Sequence, residues 1–277
     1  MKTLLFVGSL GVALLAGIAA SASAQTPKNT SKNWAAPEAT AQDGMHSIES
    51  LDRWRETLIP MFMNDYGDLQ RYHAADVALG PPKPGEKRVV FFGDSITDIW
   101  NLNRYFPGKH YINRGISGQT TWQMLVRFRE DVVDLHPAVV VILAGTNDIA
   151  GNTGPETLSE IEGDLASMVE IARANRIRPV LSSLTPENGT KPQWMNFVLQ
   201  RPPQKIVELN TWIRNYCRQN GIVYLDYYSA MVNRHGLMKP ALTRDGLHPS
   251  AAGFAVMAPL AQAAITKALG MPVVEQK

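Results

Sequence analysis

Four short polar segments of the chain carry the residue types that an acyl-transfer site needs. In chain order they are Gly93–Thr97 (GDSIT), Asn113–Gly118 (NRGISG), Gly145–Asp148 (GTND) and Asp245–Pro249 (DGLHP). Serine, histidine and aspartate together permit nucleophilic catalysis, because a serine hydroxyl stays inert until an adjacent base takes its proton. The four segments lie far apart in the chain, so only the fold can bring them together.

One serine, one histidine and one aspartate stand out as a candidate triad. Ser95 follows a short apolar run and a glycine, which would present a nucleophile on a tight strand-to-helix turn. His248 would take its proton, and Asp245, three residues earlier, would hold the imidazole in the correct tautomer. The structural alternatives are that Ser95 only caps the following helix and that Asp245 only marks a helix entry.

The tetrahedral intermediate of such a reaction needs hydrogen-bond donors that are already in place. The candidates are the backbone N–H groups of Ser95 and Gly115 and the side-chain amide of Asn147, which is a neutral donor. Gly115 and Asn147 are also common turn residues, so a purely structural role is the alternative for each. For the neighbouring carboxylates, Asp94 and Asp148, we expect structural roles in their loops.

Aromatic residues near these segments are candidates for substrate contact. The segment from Pro186 to Pro203 follows an apolar run, lacks periodicity and contains Trp194 and Phe197. Long segments of this kind at the end of a strand often contact substrate, and a packed surface loop is the alternative. Trp100, soon after the candidate nucleophile, could line the same pocket or belong to the core.

Five apolar runs predict five β-strands, with helices between and after them. The runs cover residues 88–92, 110–113, 138–144, 178–182 and 222–225. Uninterrupted apolar runs are typical of strands covered on both faces, and the alternation of strands and helices predicts right-handed βαβ units in a parallel sheet. In such a sheet, functional groups lie outside the carboxyl ends of the strands. The polar segments fall at those ends or in a loop that follows one, so we expect them to converge.

With these residues in this order, the chain resembles the SGNH (GDSL) hydrolases. Ser95, Gly115, Asn147 and His248 match the four blocks of that family, and the match covers roughly residues 86–270. The surrounding residues look most like the platelet-activating-factor acetylhydrolase and lysophospholipase L1-like branch. The resemblance implies an α/β fold, a flavodoxin-like three-layer α/β/α sandwich with a five-stranded parallel sheet in the order 2-1-3-4-5. It also implies esterase, lipase or carbohydrate acetylesterase activity without a metal, and the donor role of Gly115 rests mainly on it.

The N-terminus has the pattern of a targeting segment. Residues 1–24 contain a positive residue, an apolar run and an Ala-Ser-Ala site, which predicts a signal peptide cleaved after Ala24. A membrane anchor is the alternative, but the shortness of the run and its cleavage site favour removal. We expect residues 25–44 to be a flexible lead-in, 45–85 a helical extension and 86–272 the hydrolase domain. The mature protein would be periplasmic or secreted, with no integral membrane anchor.

Composition narrows the function classes further. The 277 residues are 45% hydrophobic, which allows a sizeable core, and a formal charge of +2 gives no electrostatic case for nucleic-acid binding. The single cysteine, Cys217, excludes an internal disulfide and a multi-cysteine metal site. The sequence has neither a metal-ligand spacing nor a nucleotide-binding glycine motif, so we expect no metal and no cofactor.

We therefore expect an extracytoplasmic serine esterase that acts on carboxylic esters with short acyl groups, such as acetyl. Alternatives on the same site are a carbohydrate O-acetylesterase acting on xylan or cell wall, a lysophospholipase and a thioesterase. A different class is a binding module that keeps the fold and holds a glycan without catalysis. The expected partner is a small-molecule, glycan or lipid ester substrate. The sequence leaves the oligomeric state and the role of residues 46–85 open.

Overall fold

Five strands lie side by side at the centre of the molecule. They are β1 (Val89–Gly93), β2 (Ile112–Gly115), β3 (Val139–Leu143), β4 (Arg178–Ser182) and β5 (Val223–Leu225). All neighbouring pairs are parallel and the order is β2-β1-β3-β4-β5, which confirms the predicted flavodoxin-like sheet. This computed structural model describes residues 49–272, so the predicted signal peptide and lead-in lie outside the described residues.

Helices cover both faces of the sheet, and two further helices precede the first strand in the chain. They are α1 (Glu49–Asn64), α2 (Gln70–Leu79), α3 (Ser95–Asp98), α4 (Leu102–Tyr105), α5 (Thr121–Asp131), α6 (Thr146–Ile149), α7 (Leu158–Ala174), α8 (Met195–Gln200), α9 (Pro203–Asn220), α10 (Tyr228–Met231) and α11 (Ala251–Leu269). Helices α1 and α2 occupy the N-terminal segment where the sequence predicts helices. Helices α5, α7, α9 and α11 are the long helices that the sequence predicts between and after the strands.

Side chains of each central strand enter two separate apolar layers, because neighbouring residues leave a strand on opposite faces. On one face, Phe92 and Ile142 pack with helices α5, α7 and α9. On the other face, Phe91 and Val141 pack with α11 and with aromatic side chains that follow α3. Every residue of β1 and β3 is buried, as expected for uninterrupted apolar runs. The result is the predicted three-layer α/β/α sandwich.

Helix α11 is long and apolar enough to cross a membrane, judged by length and composition alone. Its buried side chains include Phe254, Met257 and Ile265, and the helix packs against β3, β4 and β5. These contacts make α11 a core helix of the sandwich.

The lone cysteine lies on the buried face of α9, in the apolar layer shared with α7. Cys217 is 1% exposed, and burial raises the pKa of its thiol to about 12. The thiol therefore stays protonated and enclosed in the folded protein.

Two segments differ from their predicted forms. The sequence predicts Pro155 in the first turn of a helix, where proline is common, but α7 begins three residues later, at Leu158. The helix starts there because Thr157 and Glu160 form a capping box, which satisfies the free N–H groups of the first turn. Residues 186–203 are not wholly irregular, since they contain a 3-10 turn and α8, both too short to produce a periodic pattern.

Candidate active site

Ser95 is the first residue of α3, two residues after the end of β1 at Gly93. The turn between them is fixed by Asp94, whose side chain caps α3 by accepting a 2.9 Å hydrogen bond from the N–H of Ile96. Asp94 is buried, and burial raises the pKa of its carboxyl to about 6. The contact is of the bracing kind expected for Asp94, and it sets Ser95 at the carboxyl end of β1.

The ring of His248 joins Ser95 to Asp245. Its Nε2 lies 2.9 Å from Ser95 Oγ, and its Nδ1 lies 2.8 Å from Asp245 Oδ2. With the ring proton on Nδ1 donated to the carboxylate, Nε2 is left to accept from the serine hydroxyl. The fold thus brings together the three residues of the predicted triad, although Ser95 and His248 are 153 positions apart.

The Asp245 carboxylate is oriented by its own loop. Its Oδ1 accepts hydrogen bonds from the N–H groups of Leu247 and His248, at 3.0 and 2.8 Å. Burial would raise the pKa of Asp245, but these bonds and the one from the His248 ring outweigh it and hold the pKa below its usual value. The carboxylate is therefore ionised at neutral pH, the form that can orient an imidazole.

Asn147 lies in α6, which follows β3, the neighbour of β1 in the sheet. Its side-chain Nδ2 donates to the carbonyl of Gln119 at 2.9 Å, and its Oδ1 accepts from the guanidinium of Arg201 at 3.1 Å. Because a guanidinium can only donate, Arg201 determines which end of the amide is the oxygen. One N–H of Nδ2 remains to donate to another group, as an oxyanion donor must.

Gly115, the other predicted oxyanion donor, needs correction. Its N–H donates to Asn113 Oδ1 at 2.8 Å, so the structure contradicts the prediction that this N–H is available to an oxyanion. A side chain here would collide with the backbone of Thr97 and Asp98. Glycine is therefore required at this position for the close approach of β2 and α3.

Gly118, three residues along the same loop, is the better candidate donor, and the sequence reasoning missed it. Among the hydrogen bonds of residues 49–272, its N–H has no acceptor, and the same holds for the N–H of Ser95. Its carbonyl accepts from the Asn152 amide at 2.9 Å, and the next residue is Gln119, which binds Asn147. Both glycines belong to the NRGISG segment, and only the structure distinguishes their N–H groups.

Trp100 and Trp194, both predicted to contact substrate, are buried. Trp100 is 2% exposed and stacks on Phe254 with ring centroids 5.1 Å apart, so the substrate prediction is wrong and Trp100 belongs to the core. Trp194 is 6% exposed and packs against Gly246, where a side chain would collide with it. Trp194 therefore supports the loop that carries Asp245 and not the substrate.

Phe197, the third aromatic candidate, is partly exposed on α8. The guanidinium of Arg201 lies 5.9 Å from the centre of its ring. Because Arg201 also contacts Asn147, Phe197 lies at the same side of the site as this candidate oxyanion donor. Its predicted contact with substrate stays a prediction.

Arg201 is a further site residue that the sequence reasoning did not identify. It is 4% exposed, and its Nε donates to the carbonyl of Thr146 at 3.1 Å while a second nitrogen holds Asn147. Burial lowers the pKa of the guanidinium, and the nearby Glu187 carboxyl opposes this shift. Burial also raises the pKa of Glu187 to about 8. The available signal was weak: one arginine at the end of an apolar stretch, directly before two prolines.

Asp148 has a bracing position, as expected from the sequence. It is 1% exposed and its Oδ1 accepts from both the N–H, at 2.6 Å, and the hydroxyl of Thr121 at the start of α5. Burial raises the pKa of Asp148 to about 6. Within the described part of the chain, His, Cys, Asp and Glu side chains form no group of three that could hold a metal ion.

Two solved bacterial structures are similar to this chain in both sequence and fold. A protein assigned as an acylhydrolase from Bacteroides fragilis is 45% identical, with a TM-score of 0.70, and the match covers 74% of this chain and 99% of that one. A GDSL-like lipase from Bacteroides thetaiotaomicron is 42% identical, with a TM-score of 0.68, and the match covers 74% of this chain and 100% of that one.

A curated relative is more distant. The uncharacterized lipoprotein YqeF of Bacillus subtilis is 32% identical over 129 residues, which is 40% of this chain and 53% of that protein. This chain thus matches about half the length of that relative.

The family model for GDSL-like lipases and acylhydrolases matches residues 91–256. The matched range is more than half of the chain and includes all four polar segments, from GDSIT to DGLHP. The chain belongs to the GDSL-like lipase/acylhydrolase family.

Proposed function

We propose that this protein is a serine esterase that hydrolyses carboxylic esters through an acyl-enzyme. The observation that carries the proposal is the continuous relay from Ser95 Oγ to His248 at 2.9 Å and from His248 to Asp245 at 2.8 Å. A hydroxyl that donates to an oriented, neutral imidazole can be deprotonated as it attacks.

In the proposed reaction, Ser95 Oγ attacks the ester carbonyl while His248 Nε2 takes its proton. The bond between the carbonyl carbon and the alcohol oxygen then breaks, and His248 gives the proton to the departing alcohol. Water attacks the acyl-enzyme in the second half, with His248 again taking a proton, and the acid leaves as that proton returns to Ser95 Oγ. Asp245 stays ionised throughout and stabilises the imidazolium.

The oxyanion would be held by three neutral donors: the N–H of Ser95, the N–H of Gly118 and the side chain of Asn147. Support comes from the two backbone N–H groups without an acceptor among residues 49–272 and from the fixed orientation of the Asn147 amide. Donors that are already ordered stabilise developing charge without reorganisation.

We propose a short acyl group, with acetyl as the simplest case. Ser95 is only 8% exposed, and the buried Asn147 and Arg201 side chains occupy space at the neighbouring strand end, which favours a small acyl group. A second candidate, hydrolysis of longer acyl or lysophospholipid esters, is favoured by one observation. Met195 and Leu199 on α8 are 45% and 38% exposed and offer an apolar surface on the helix that Arg201 follows.

The test is hydrolysis of p-nitrophenyl esters of two to twelve carbons, with Ser95→Ala as the matched blank. Turnover that falls with chain length and disappears in the variant supports the short-chain esterase. Turnover that rises with chain length supports the lipid candidate. If the folded wild type releases no p-nitrophenol from any ester, the esterase proposal is wrong and the glycan-binding class gains support. Where the wild type is active, acetate release from acetylated xylan would assign the carbohydrate O-acetylesterase alternative.

We also propose that the protein acts outside the cytoplasm, after cleavage following Ala24. The pattern of residues 1–24 supports export, and the lipoprotein relative belongs to a class of exported proteins. Edman sequencing of the protein recovered from the periplasm or medium tests this, with Gln25 expected as the first residue. Recovery of the uncleaved chain from the cytoplasm alone would contradict it.

A further inference from the structure

Helix α2 is attached to the body of the protein by polar contacts. It has no buried residue, so burial of apolar surface does not explain why it docks where it does. The hydroxyl of Tyr72 donates to the carbonyl of Gly115. Arg71 donates to Asp98 Oδ1 at 3.2 Å, and Asp98 Oδ2 accepts from the N–H and hydroxyl of Ser117. Both contacts lead to the loop of residues 115–119, which contains Gly118.

The turn between α1 and α2 holds the other end of that loop. The side-chain Nε2 of Gln119 donates to the carbonyl of Gly67 at 2.8 Å, and both residues are buried. The backbone carbonyl of the same Gln119 accepts from Asn147 Nδ2 at 2.9 Å. Two hydrogen bonds through one residue therefore connect Gly67 to the candidate oxyanion donor Asn147.

Helix α1 contacts the loop that follows Asn147. The guanidinium of Arg55 donates to the carbonyl of Ala150 at 3.2 Å and to that of Gly151. Nearby, the hydroxyls of Thr120 and Thr153 lie 3.0 Å apart and link the two loops directly. The N-terminal helices therefore brace the loops of both proposed donors, Gly118 and Asn147.

We propose that residues 55–72 form part of the ester-hydrolysing site as an oxyanion-hole brace, with Tyr72 and Gln119 as positioning residues. The proposal rests on the serine esterase function proposed above. Its physical basis is that donors act only when they point at the position the oxyanion will take, so small displacements of a loop carry large costs in rate. The brace acts on kcat through Gly118 and Asn147 and makes no contact with substrate.

The experiment compares the double variant Tyr72→Phe/Gln119→Glu with the control Gln123→Glu in the full chain. Tyr72→Phe removes the donor to Gly115, and Gln119→Glu replaces the donor to Gly67 while keeping an oxygen for Arg127. Gln123 donates to the carbonyl of Tyr66 in the same turn at 3.0 Å, but it lies inside α5 and outside the 115–119 loop. The control therefore repeats the glutamine-to-glutamate change against the same turn, at a position outside the loop.

We expect the double variant to lose about 10-fold or more in kcat on p-nitrophenyl acetate, with KM within about twofold of wild type. Hydrogen exchange of residues 113–121 should be faster in the double variant than in the control. The single variant Tyr72→Phe, which keeps the ring over Arg114, should show a smaller loss of about threefold and covers the case in which the double variant does not fold.

Unchanged kcat in both variants of Tyr72, with the wild type active, would overturn the inference and leave the esterase function intact. A loss of kcat in Gln123→Glu equal to that in the double variant would also overturn it, because the effect would then be a general weakening of the turn. If the wild type hydrolyses no ester, the proposed function fails, and the exchange rates alone decide: equal rates in the double variant and the control would overturn the brace.

Discussion

The two halves of the candidate site are held in different ways. In the half that would move protons, Asp245 is fixed by the N–H groups of Leu247 and His248, its neighbours in the same loop. In the half that would hold the oxyanion, Asn147 is fixed by Gln119 and Arg201, which are 28 and 54 positions away.

The comparison shows that one site can combine a group oriented by its own loop, Asp245, with a group oriented by distant parts of the chain, Asn147. In the proton-moving half, short-range contacts orient Asp245 and His248 within one loop, and the fold then places that loop against Ser95 and Trp194. The oxyanion half depends on α8, on the 115–119 loop and on the N-terminal helices, so it is exposed to changes in distant parts of the chain. Substitutions in the two halves should therefore differ in how much activity they remove. Only the oxyanion half should also be sensitive to substitutions far away in the sequence.

The largest expected effect is in the proton-moving half. Ser95→Ala should lower kcat on p-nitrophenyl acetate by about 10⁴-fold or more, because the nucleophile itself is absent. The variant should unfold at nearly the wild-type temperature, since the removed hydroxyl makes one partly buried hydrogen bond, to His248. A folded variant with more than about a hundredth of wild-type activity would contradict the role of Ser95.

The next effect breaks the oxyanion half while leaving the relay intact. Asn147→Ala should lower kcat by about 10²- to 10³-fold, the usual cost of one lost donor. Labelling of Ser95 by a serine-directed phosphonate should slow as well, because that reaction also passes through an oxyanion. Asn175→Ala, which removes an exposed asparagine from the end of α7, is the control and should have no effect. Equal activities of the two variants would exclude Asn147 as a donor.

A third change sharpens the comparison by acting at a distance. Arg201→Lys keeps the positive charge, but an ammonium cannot bind both the Thr146 carbonyl and Asn147 Oδ1 with the geometry of a guanidinium. We expect about a tenfold loss in kcat, on the scale of a small misplacement of one donor, with little change in KM. Arg173→Lys on the outer surface of α7 is the matched control. If both lysine variants retain full activity, Asn147 does not depend on Arg201.

The smallest effect concerns stability and pH. The folded protein raises the pKa of Glu187 to about 8 through burial, so between about pH 5 and 8 the folded state holds a proton that the unfolded chain has lost. The folded state binds more protons than the unfolded chain over this range. The contribution of Glu187 to the free energy of unfolding therefore falls as pH rises. Glu187→Gln should make urea midpoints at pH 5 and pH 8 more similar, by the equivalent of about 1 kcal/mol or more. An identical pH slope in wild type and variant would exclude Glu187 as the source.

Features that depend on local pattern could be predicted from the sequence. The five strands follow from uninterrupted apolar runs, and their order was implied by the family resemblance. Ser95, Asp245 and His248 were found because each lies in a short segment whose residue types already suggest its use. The structure brings these three together, and activity measurements remain the test of their roles.

Features that depend on long-range packing could not be predicted. Gly115 and Gly118 share one segment, and only the hydrogen bond from Gly115 to Asn113 shows which N–H is occupied. Trp100 looks like a pocket residue by its distance from Ser95 along the chain, yet its ring lies in the core. Arg201 belongs to no sequence motif, because its role depends on the oxygen atoms of Thr146 and Asn147 that the fold brings within hydrogen-bond distance.

The buried thiol of Cys217 gives this protein a built-in reporter of opening. A thiol reagent reacts with the thiolate form of cysteine. In the folded protein, burial around α9 keeps the Cys217 thiol protonated and out of reach of the reagent. Labelling therefore measures how often α9 separates from its neighbours, without any added probe and without touching the candidate active site. Labelling rates in wild type, Arg201→Lys and the Tyr72 variants would show directly whether a lost activity comes from the site or from a loosened core.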